Sequence, residues 1–208
     1  MRVFPLYFSI EEVNKTNTEL YLTSPIPPSV NHYLGYRGLI KNGHAVAISY
    51  KTHDAVKYQS DFAKYVKDEV QKQGYSVTPN ETQHFYVDCI FYFARMDKDP
   101  NNYFKCMLDA ITDTHLIWLD DNVVCERVQK IYYDKENPRV ELHIYPVDYI
   151  GIFENKKQLD NFEKNCVDCS RYKRNCNLLK QAKLGYIQNE IQGCVCSKYN
   201  PVKGEYIL

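Results

Sequence analysis

The segment Gln83–Ala94 limits the folds open to this chain more than any other part of the sequence. Along it, large or apolar residues occupy every second position: Phe85, Val87, Cys89, Phe91 and Phe93. Because successive side chains of a β-strand point to opposite faces of a sheet, this alternation predicts a strand with one face toward a core. The strand leads directly to two acidic residues, Asp97 and Asp99.

Two amphipathic helices are predicted, one before this strand and one after it. In Tyr50–Gln73 the apolar residues recur at helical spacing, and Gly74 supplies a helix end. The second helix runs from Asp99 to about Thr114. Its predicted buried stripe consists of Phe104, Met107, Leu108 and Ile111.

Further strands complete the predicted order of elements. They are Val3–Ile10, Glu19–Thr23, Val123–Tyr133 and Arg139–Tyr145. The last two are predicted to pair as a hairpin across Asp134–Pro138. The order β, β, α, β, α, β, β predicts an α+β fold in which two helices pack on a mixed β-sheet.

Length and composition indicate one ordinary domain with a small appendage. We place the domain at residues 1–148 and the appendage, a short helix followed by a cysteine-rich module, at residues 149–208. The 26 basic and 26 acidic residues balance, so bulk charge cannot hold this protein on DNA and any contact must come from a local patch. Without a long apolar run or a secretion signal, we expect a cytoplasmic protein with no membrane partner.

Acidic residues cluster at two junctions between strands and helices. Asp97 and Asp99 follow the alternating strand, Asp120 and Asp121 precede the next strand, and Lys105 lies on the helix between them. Mg²⁺ prefers hard oxygen ligands and keeps several waters, and the bound ion can activate a water and hold phosphoryl oxygens. The pattern therefore predicts a divalent-metal site for phosphate chemistry.

Each of these residues also has a plainer structural interpretation. Asp99 stands before a proline, which is typical of a helix start, and a carboxylate that caps the first amides can still present an oxygen to a metal. Lys105 and Asp109 have the spacing of an exposed ion pair worth about 0.3–0.5 kcal/mol. The adjacent acids before the next strand could form a turn, and only one of them is expected to face a given site.

The spacing of these residues resembles that of the RusA family of Holliday-junction endonucleases. The matching residues are Asp99-Pro100-Asn101-Asn102, Lys105, Asp109-Ala110-Ile111 and Asp120-Asp121. The proline-rich run Ser24–Tyr33, otherwise a rigid exit loop, resembles the N-terminal signature of the same family. The resemblance extends over Leu22–Tyr145. It departs from the family at Asn101, where the family usually has Asp.

The resemblance implies a homodimer that cuts four-way DNA junctions. Each of two metal sites would nick one of two opposed strands and leave a 5′-phosphate and a 3′-hydroxyl. Mg²⁺, or Mn²⁺ in its place, would be held by Asp99, Asp121 and the Asn101 amide oxygen. Asp120 would be auxiliary to this catalytic set, and Lys105 would stabilise transition-state charge or orient the attacking water.

The neutral Asn101 removes one negative charge from that site. Asp97, two residues before Asp99, would compensate as a further Mg²⁺ ligand if the strand continues that far. In that case Asp97→Ala would abolish cleavage, whereas Asp109→Ala would not. The alternative function is a scaffold protein that binds branched DNA without cutting it, its nuclease site weakened by Asn101.

Contacts with DNA are expected from Lys98, Asn102, Arg37 and Lys41. The resemblance puts Lys98 near the scissile phosphate and gives Asn102 the role of positioning the loop. Arg37 and Lys41 belong to the glycine-containing segment Leu34–Ser49, which predicts either a mobile basic loop suited to a phosphate backbone or a solvated hairpin.

Cysteines crowd the appendage after a predicted helix at Phe153–Asn165: Cys166, Cys169, Cys176, Cys194 and Cys196. In an intracellular chain such density indicates a metal more than disulfides, and four thiolates at this spacing can close a tetrahedral structural Zn²⁺ site. The region resembles a small treble-cysteine module of phage-associated proteins, a resemblance that favours Cys196 over Cys194 as the fourth ligand. Reduced, unligated thiols are the alternative.

Overall fold

The computed structural model describes residues 17–80, 82–172 and 174–202. Its strands are β1 (Leu20–Pro25), β2 (Leu34–Lys41), β3 (His44–Lys51), β4 (Phe85–Phe93), β5 (Val124–Tyr133), β6 (Arg139–Pro146), β7 (Ile191–Gln192) and β8 (Val195–Cys196). Its α-helices are α1 (Val30–Tyr33), α2 (His53–Lys72), α3 (Phe104–Thr112), α4 (Lys156–Val167) and α5 (Leu178–Lys183). The predicted strand Val3–Ile10 lies outside the described residues.

A four-stranded mixed sheet with the order β1-β6-β4-β5 forms the centre of the fold. β6 is antiparallel to both β1 and β4, whereas β5 runs parallel to β4. The apolar stripes of α2 and α3 share one core with the buried residues of β1, β4 and β6. The structure thus has the predicted α+β fold, with two helices packed on a mixed sheet.

The predicted hairpin of Val123–Tyr133 with Arg139–Tyr145 is wrong. β5 and β6 lie on opposite sides of β4. The segment between them passes over the end of β4, where the Asp134 amide donates to the Phe93 carbonyl at 2.8 Å. β6 lies between β1 and β4 and buries every second residue up to Ile144, whereas β5 lies at the sheet edge and exposes most of its residues.

Local signals account for α2, which confirms the helix predicted at Tyr50–Gln73. Thr52 caps it by accepting a hydrogen bond from the Ala55 amide at 3.3 Å. One face of α2 is buried: Phe62 and Val66 join the core that contains the sheet, and Ala55 packs with Tyr33 and Cys106.

The second predicted helix is divided in two. A 3₁₀ turn at Pro100–Asn102 comes first, and α3 begins at Phe104. The whole predicted stripe of α3 is buried: Phe104, Met107, Leu108 and Ile111. A second 3₁₀ turn, Asp121–Val123, precedes β5.

The segment Leu34–Ser49 forms a regular hairpin, which confirms the second of its two interpretations. β2 and β3 pair antiparallel, and the turn residues Asn42 and Gly43 have φ angles of 51° and 77°. Positive φ at both positions is what a two-residue type I′ turn needs. Every residue of β3 is exposed, so the hairpin projects from the core.

A second, smaller core occupies the C-terminal part of the chain. It contains Phe153, Leu159, Phe162 and Ala182, all of them buried. The predicted helix Phe153–Asn165 corresponds to α4, which begins at Lys156 after Asn155 accepts a hydrogen bond from the Gln158 amide at 3.0 Å. Across the described residues, no helix has both the length and the apolar character needed to cross a bilayer.

Candidate active site

Three charged side chains meet beside α3. The ammonium of Lys105 donates to a carboxylate oxygen of Asp109 at 2.7 Å and to one of Asp121 at 3.2 Å. Lys105 and Asp109 are one turn apart on α3, and Asp121 opens the 3₁₀ turn before β5. The ion pair foreseen for Lys105 and Asp109 therefore forms, but a second carboxylate from a different element joins it. We call these three residues the lysine–aspartate cluster.

The contacts within the cluster determine the charge of Lys105. The hydrogen bond to Asp109, supported by the one to Asp121, raises the pKa of Lys105 above its ordinary value, although partial burial acts in the opposite direction. Lys105 therefore remains a cation and cannot act as a base. An ammonium has three donors, and the two carboxylates occupy two of them, so one is left for a substrate oxygen.

A chain of hydrogen bonds supports Asp109 from the protein interior. The Tyr33 hydroxyl donates to the second carboxylate oxygen of Asp109. Gln59 donates to the Tyr33 oxygen at 3.3 Å, and Lys51 donates to Gln59 at 2.8 Å. Burial, followed by the contact with Asp109, raises the pKa of Tyr33, so the phenol keeps its proton. Both oxygens of Asp109 are thus occupied, and its carboxylate is held in the orientation that fixes Lys105.

Two of these supporting residues carry a signal in the sequence. Tyr33 ends the proline-rich run Ser24–Tyr33, whose resemblance to a family signature points to the site without giving its role. Gln59 lies on the apolar stripe of α2 between Ala55 and Phe62 and is buried. A buried amide needs hydrogen-bond partners, so its position indicates a polar contact.

Asp99 and Asn101 lie in the turn before α3. One carboxylate oxygen of Asp99 accepts a hydrogen bond from the backbone N–H of Asn101 at 3.0 Å. Asp99 therefore caps the 3₁₀ turn, as its place before a proline predicts. The side chain of Asn101 is exposed and that of Asn102 is half-buried. Among the described residues, no hydrogen bond or ion pair connects Asp99 to Lys105.

The adjacent acids Asp120 and Asp121 point in different directions. Asp120 accepts a hydrogen bond from the Asn122 amide at 2.9 Å and caps the second 3₁₀ turn. Asp121 instead reaches Lys105. Only one of the two acids therefore faces α3, as expected for neighbouring residues.

Asp97 does not meet the condition under which it would compensate for Asn101. β4 ends at Phe93, so the strand does not continue to Asp97. The Asp97 carboxylate instead binds the Arg95 guanidinium at 3.0 and 2.5 Å, and this contact lowers the Asp97 pKa. Lys98 is exposed in the same turn.

The two acidic segments lie at opposite ends of the neighbouring strands β4 and β5. β4 and β5 are parallel, and Phe85 pairs with Val124. The turn with Asp99 therefore follows the C-terminal end of β4, whereas Asp121 precedes the N-terminal end of β5. α3 follows the first 3₁₀ turn and precedes the second, and it contacts both of them. The helix therefore connects the two acidic segments.

The donor atoms of the site suit Mg²⁺ by their chemistry, because carboxylate and amide oxygens are hard ligands. Oxygens of this kind come from Asp99, Asn101, Asp120 and Asp121. Within residues 17–80, 82–172 and 174–202, however, no three His, Cys, Asp or Glu side chains are grouped so that they could hold a metal ion. A bound ion would therefore have to draw these side chains together.

Arg37 and Lys41 lie on the exposed hairpin formed by β2 and β3. At about 3.3 Å per residue, the hairpin carries Lys41 roughly 20 Å from Leu34 at its base. The neighbour of Leu34, Tyr33, contacts Asp109. The base of the hairpin thus adjoins the lysine–aspartate cluster, and its tip lies further away.

Four of the clustered cysteines line one cavity of about 320 Å³ in the C-terminal part: Cys166, Cys169, Cys176 and Cys196. Burial, followed by the neighbouring thiols, raises the pKa of Cys166 to about 11. Cys194 is not on the cavity wall, and its Sγ atom contacts the side-chain oxygen of Gln158 at 3.6 Å.

Comparison with protein families gives one informative match. Residues 25–145 match the family model described as Endodeoxyribonuclease RusA, which is more than half of the 208 residues. The matched region contains α3, both 3₁₀ turns and the exposed hairpin, and it ends before the C-terminal cysteines. A comparison with curated proteins found no match. The resemblance noted for Leu22–Tyr145 is therefore confirmed, and the chain belongs to the RusA endodeoxyribonuclease family.

Proposed function

We propose that this protein is a Mg²⁺-dependent endodeoxyribonuclease that resolves four-way DNA junctions by paired, symmetric nicks. Membership of the RusA family supports a nuclease that acts on branched DNA. The observation that carries the proposal is the Lys105 ammonium held between Asp109 and Asp121 inside the matched region. A fixed cation beside an available carboxylate is suited to phosphodiester hydrolysis.

Asp99 and Asp121 would hold the Mg²⁺ ion, with the Asn101 amide oxygen as a further ligand and Asp120 as an auxiliary. Mn²⁺ would serve in its place. When bound, the ion supplies positive charge for the phosphoryl oxygens and acidifies a water. Because Asp120 also caps its turn, a substitution there acts on the backbone of Asp121 as well.

Lys105 would donate its remaining N–H to an oxygen of the scissile phosphate. Negative charge builds up on the phosphoryl oxygens as water attacks, so a cation already in place stabilises the transition state more than the ground state. Asp109, itself held by Tyr33, keeps the ammonium in that position. Of the two roles inferred for Lys105, we favour charge stabilisation.

A homodimer fits the two-fold symmetry of a four-way junction. Two equivalent strands must be cut, and two copies of the site would cut them together. Lys98 and Asn102 would contact DNA near the scissile phosphate, while Arg37 and Lys41 would contact the backbone further away. Phosphate contacts of this kind make junction binding weaken as the salt concentration rises.

The direct test is a cleavage assay on a synthetic four-way junction with an immobile core, with and without Mg²⁺ or Mn²⁺. We expect paired, symmetric nicks that need the metal and disappear in the variants Asp99→Asn and Asp121→Asn. A linear duplex of the same sequence is the matched substrate control. Equal cutting of duplex and junction would contradict the junction specificity.

Tight junction binding without nicks in either metal would contradict the nuclease proposal. It would favour the scaffold function, with Asn101 as the cause, since the site has one carboxylate fewer than the family usually has. Native gel shifts on the same junction separate this outcome from a protein that does not bind DNA at all.

Restoring the family carboxylate should strengthen the metal site. We expect Asn101→Asp to lower the Mg²⁺ concentration for half-maximal cleavage by about tenfold, because the number of ligand charges tunes cation affinity. Titration of Mg²⁺ in the cleavage assay measures this shift. Asn122→Asp adds the same charge beside Asp121 and serves as the control, which should not shift the titration. An unchanged titration for Asn101→Asp would show that position 101 does not contact the ion.

The contacts of Asp97 with Arg95 and of Asp109 with Lys105 support an order of importance opposite to the one expected from the sequence. We expect Asp109→Ala to slow cleavage by up to about 100-fold, because Lys105 then loses the carboxylate that positions it. Asp97→Ala should change the rate by less than about twofold, since Asp97 binds Arg95 in an exposed pair. Single-turnover rates on the junction compare the two variants. A larger loss of rate in Asp97→Ala than in Asp109→Ala would indicate that Asp97 belongs to the site.

A further inference from the structure

We propose that four thiols in the C-terminal part of the chain bind one structural Zn²⁺ ion. They belong to Cys166, Cys169, Cys176 and Cys196. Cys194, although adjacent in sequence to this set, stays outside it. The inference concerns residues beyond the family match and does not depend on the proposed nuclease activity.

The first support is the common cavity of about 320 Å³. These four cysteines come from α4, from the segment between α4 and α5, and from β8, and all of them line its wall. Zn²⁺ in structural sites takes four ligands in a tetrahedron, with Zn–S distances of about 2.3 Å. Four thiols from three segments around one cavity match that ligand number.

The backbone around Cys169 supplies donors directed at a sulfur. The Asn200 amide donates to the Cys169 Sγ atom at 3.5 Å. The Cys169 amide donates to the Cys166 carbonyl and the Tyr172 amide to the Cys169 carbonyl, both at 3.0 Å, so the chain turns tightly at both cysteines. An amide that donates to sulfur in this way would also stabilise the negative charge of a metal-bound thiolate.

The hairpin of β7 and β8 separates Cys196 from Cys194. Cys196 pairs with Ile191, while Gly193 and Cys194 form the turn with φ angles of 53° and 62°. The turn directs the Cys194 thiol to Gln158 on α4, away from the cavity. The geometry therefore selects Cys196 as the fourth ligand.

Charge and core size also favour a metal. A Zn²⁺ ion with four thiolates carries a net charge of about −2. The cation Lys180 lines the same cavity, as does Lys198, which also pairs with Glu190 at 2.6 Å. The local core has few buried side chains, so a metal would contribute folding energy that apolar burial does not supply. The thiols are not yet grouped as ligands, and the ion would close the cavity around itself as it binds.

The test is the zinc content of the full-length protein purified under reducing conditions and passed through metal-free gel filtration. We expect one Zn²⁺ per chain in the wild type and in Cys194→Ser, and loss of the ion in Cys196→Ser. The two variants lie in the same short hairpin, so each controls for the effect of a serine there. Cys176→Ser, at an exposed position, is a second variant that should lose zinc without disturbing the local core.

Replacement of zinc by Co²⁺ gives an independent readout, because a tetrahedral thiolate site absorbs visible light. Wild type and Cys194→Ser should show this absorption, and Cys196→Ser should not. A wild-type protein without zinc, or with disulfides among these cysteines, would overturn the proposal. Loss of zinc in Cys194→Ser with retention in Cys196→Ser would overturn the ligand assignment.

Discussion

Replacing Lys105 with methionine is expected to slow junction cleavage by about 100- to 1000-fold, a typical cost of removing one preorganised group that stabilises the transition state. The methionine side chain keeps the apolar stem but donates no hydrogen bond. Asp109 and Asp121 would then face each other without the cation that separates them. Binding of the junction should change little, because one phosphate contact among many is lost.

Single-turnover rates and gel-shift affinities measured on the same junction test this expectation. Lys57→Met is the matched control, because Lys57 and Asp61 form an exposed pair of the same spacing on α2, at 2.6 Å. It should cleave at the wild-type rate. Normal cleavage by Lys105→Met would show that the cluster is structural. Equal losses of cleavage and binding would show that Lys105 holds DNA and does not act in the chemical step.

Replacing Trp118 with alanine is expected to lower the free energy of unfolding by about 3–5 kcal/mol. Trp118 is fully buried, and its ring lies 5.8 Å from that of Phe85 at the start of β4. Its Nε1–H group donates to the Thr112 hydroxyl at the end of α3, at 2.7 Å. The indole thus connects α3 and the sheet just before the turn that carries Asp121, so its loss should also displace Asp121 from Lys105.

Urea unfolding followed by circular dichroism measures the effect. Trp118 is the sole tryptophan, so fluorescence follows unfolding in the wild type but not in the variant. Trp118→Phe keeps an aromatic ring and loses the hydrogen bond, and it should be destabilised by less than the alanine variant. If the free energy of unfolding of the alanine variant is within about 1 kcal/mol of the wild-type value, the 3₁₀ turn Asp121–Val123 does not depend on this packing.

Elements with a strong internal period are predictable from the sequence. The alternation of Gln83–Ala94 identifies β4, and helical spacing identifies α2 and the buried stripe of α3. These signals are local, because each depends only on which side chains along one element must avoid water. Capping by Asp99 is local for the same reason, since its carboxylate binds an amide two residues away.

The pairing of strands is not local, and there the sequence misleads. β5 and β6 follow each other closely, and a short polar link is typical of a hairpin. Periodicity shows which residues of a strand face the core but does not identify its neighbour. In the folded protein β6 takes the place between β1 and β4, where Val140, Leu142 and Ile144 are buried, and β5 takes the edge.

The candidate site shows the same division. Spacing points to Lys105 and the pair Asp120-Asp121 as members of one site, and a resemblance to a family favours Asp121 and gives these residues roles. Their contact with Asp109, and the support of Asp109 by Tyr33 and Gln59, appear only when α1, α2 and α3 are packed together. Tyr33 lies 76 positions from Asp109 in the chain, so a local pattern cannot predict their contact.

The sequence by itself determined the long helix α2, the strands of the central sheet and the buried stripe of α3, and it pointed to the family and to candidate residues, because periodicity, caps and motif spacing act over a few residues. Only the tertiary structure decided which carboxylates hold Lys105, that Asp97 binds Arg95, and that Cys194 lies outside the thiol cavity. Each of these outcomes depends on the direction of a side chain relative to an element distant in the chain. Packing of the core sets that direction, because a close-packed interior must accommodate the side chains of all its elements at the same time.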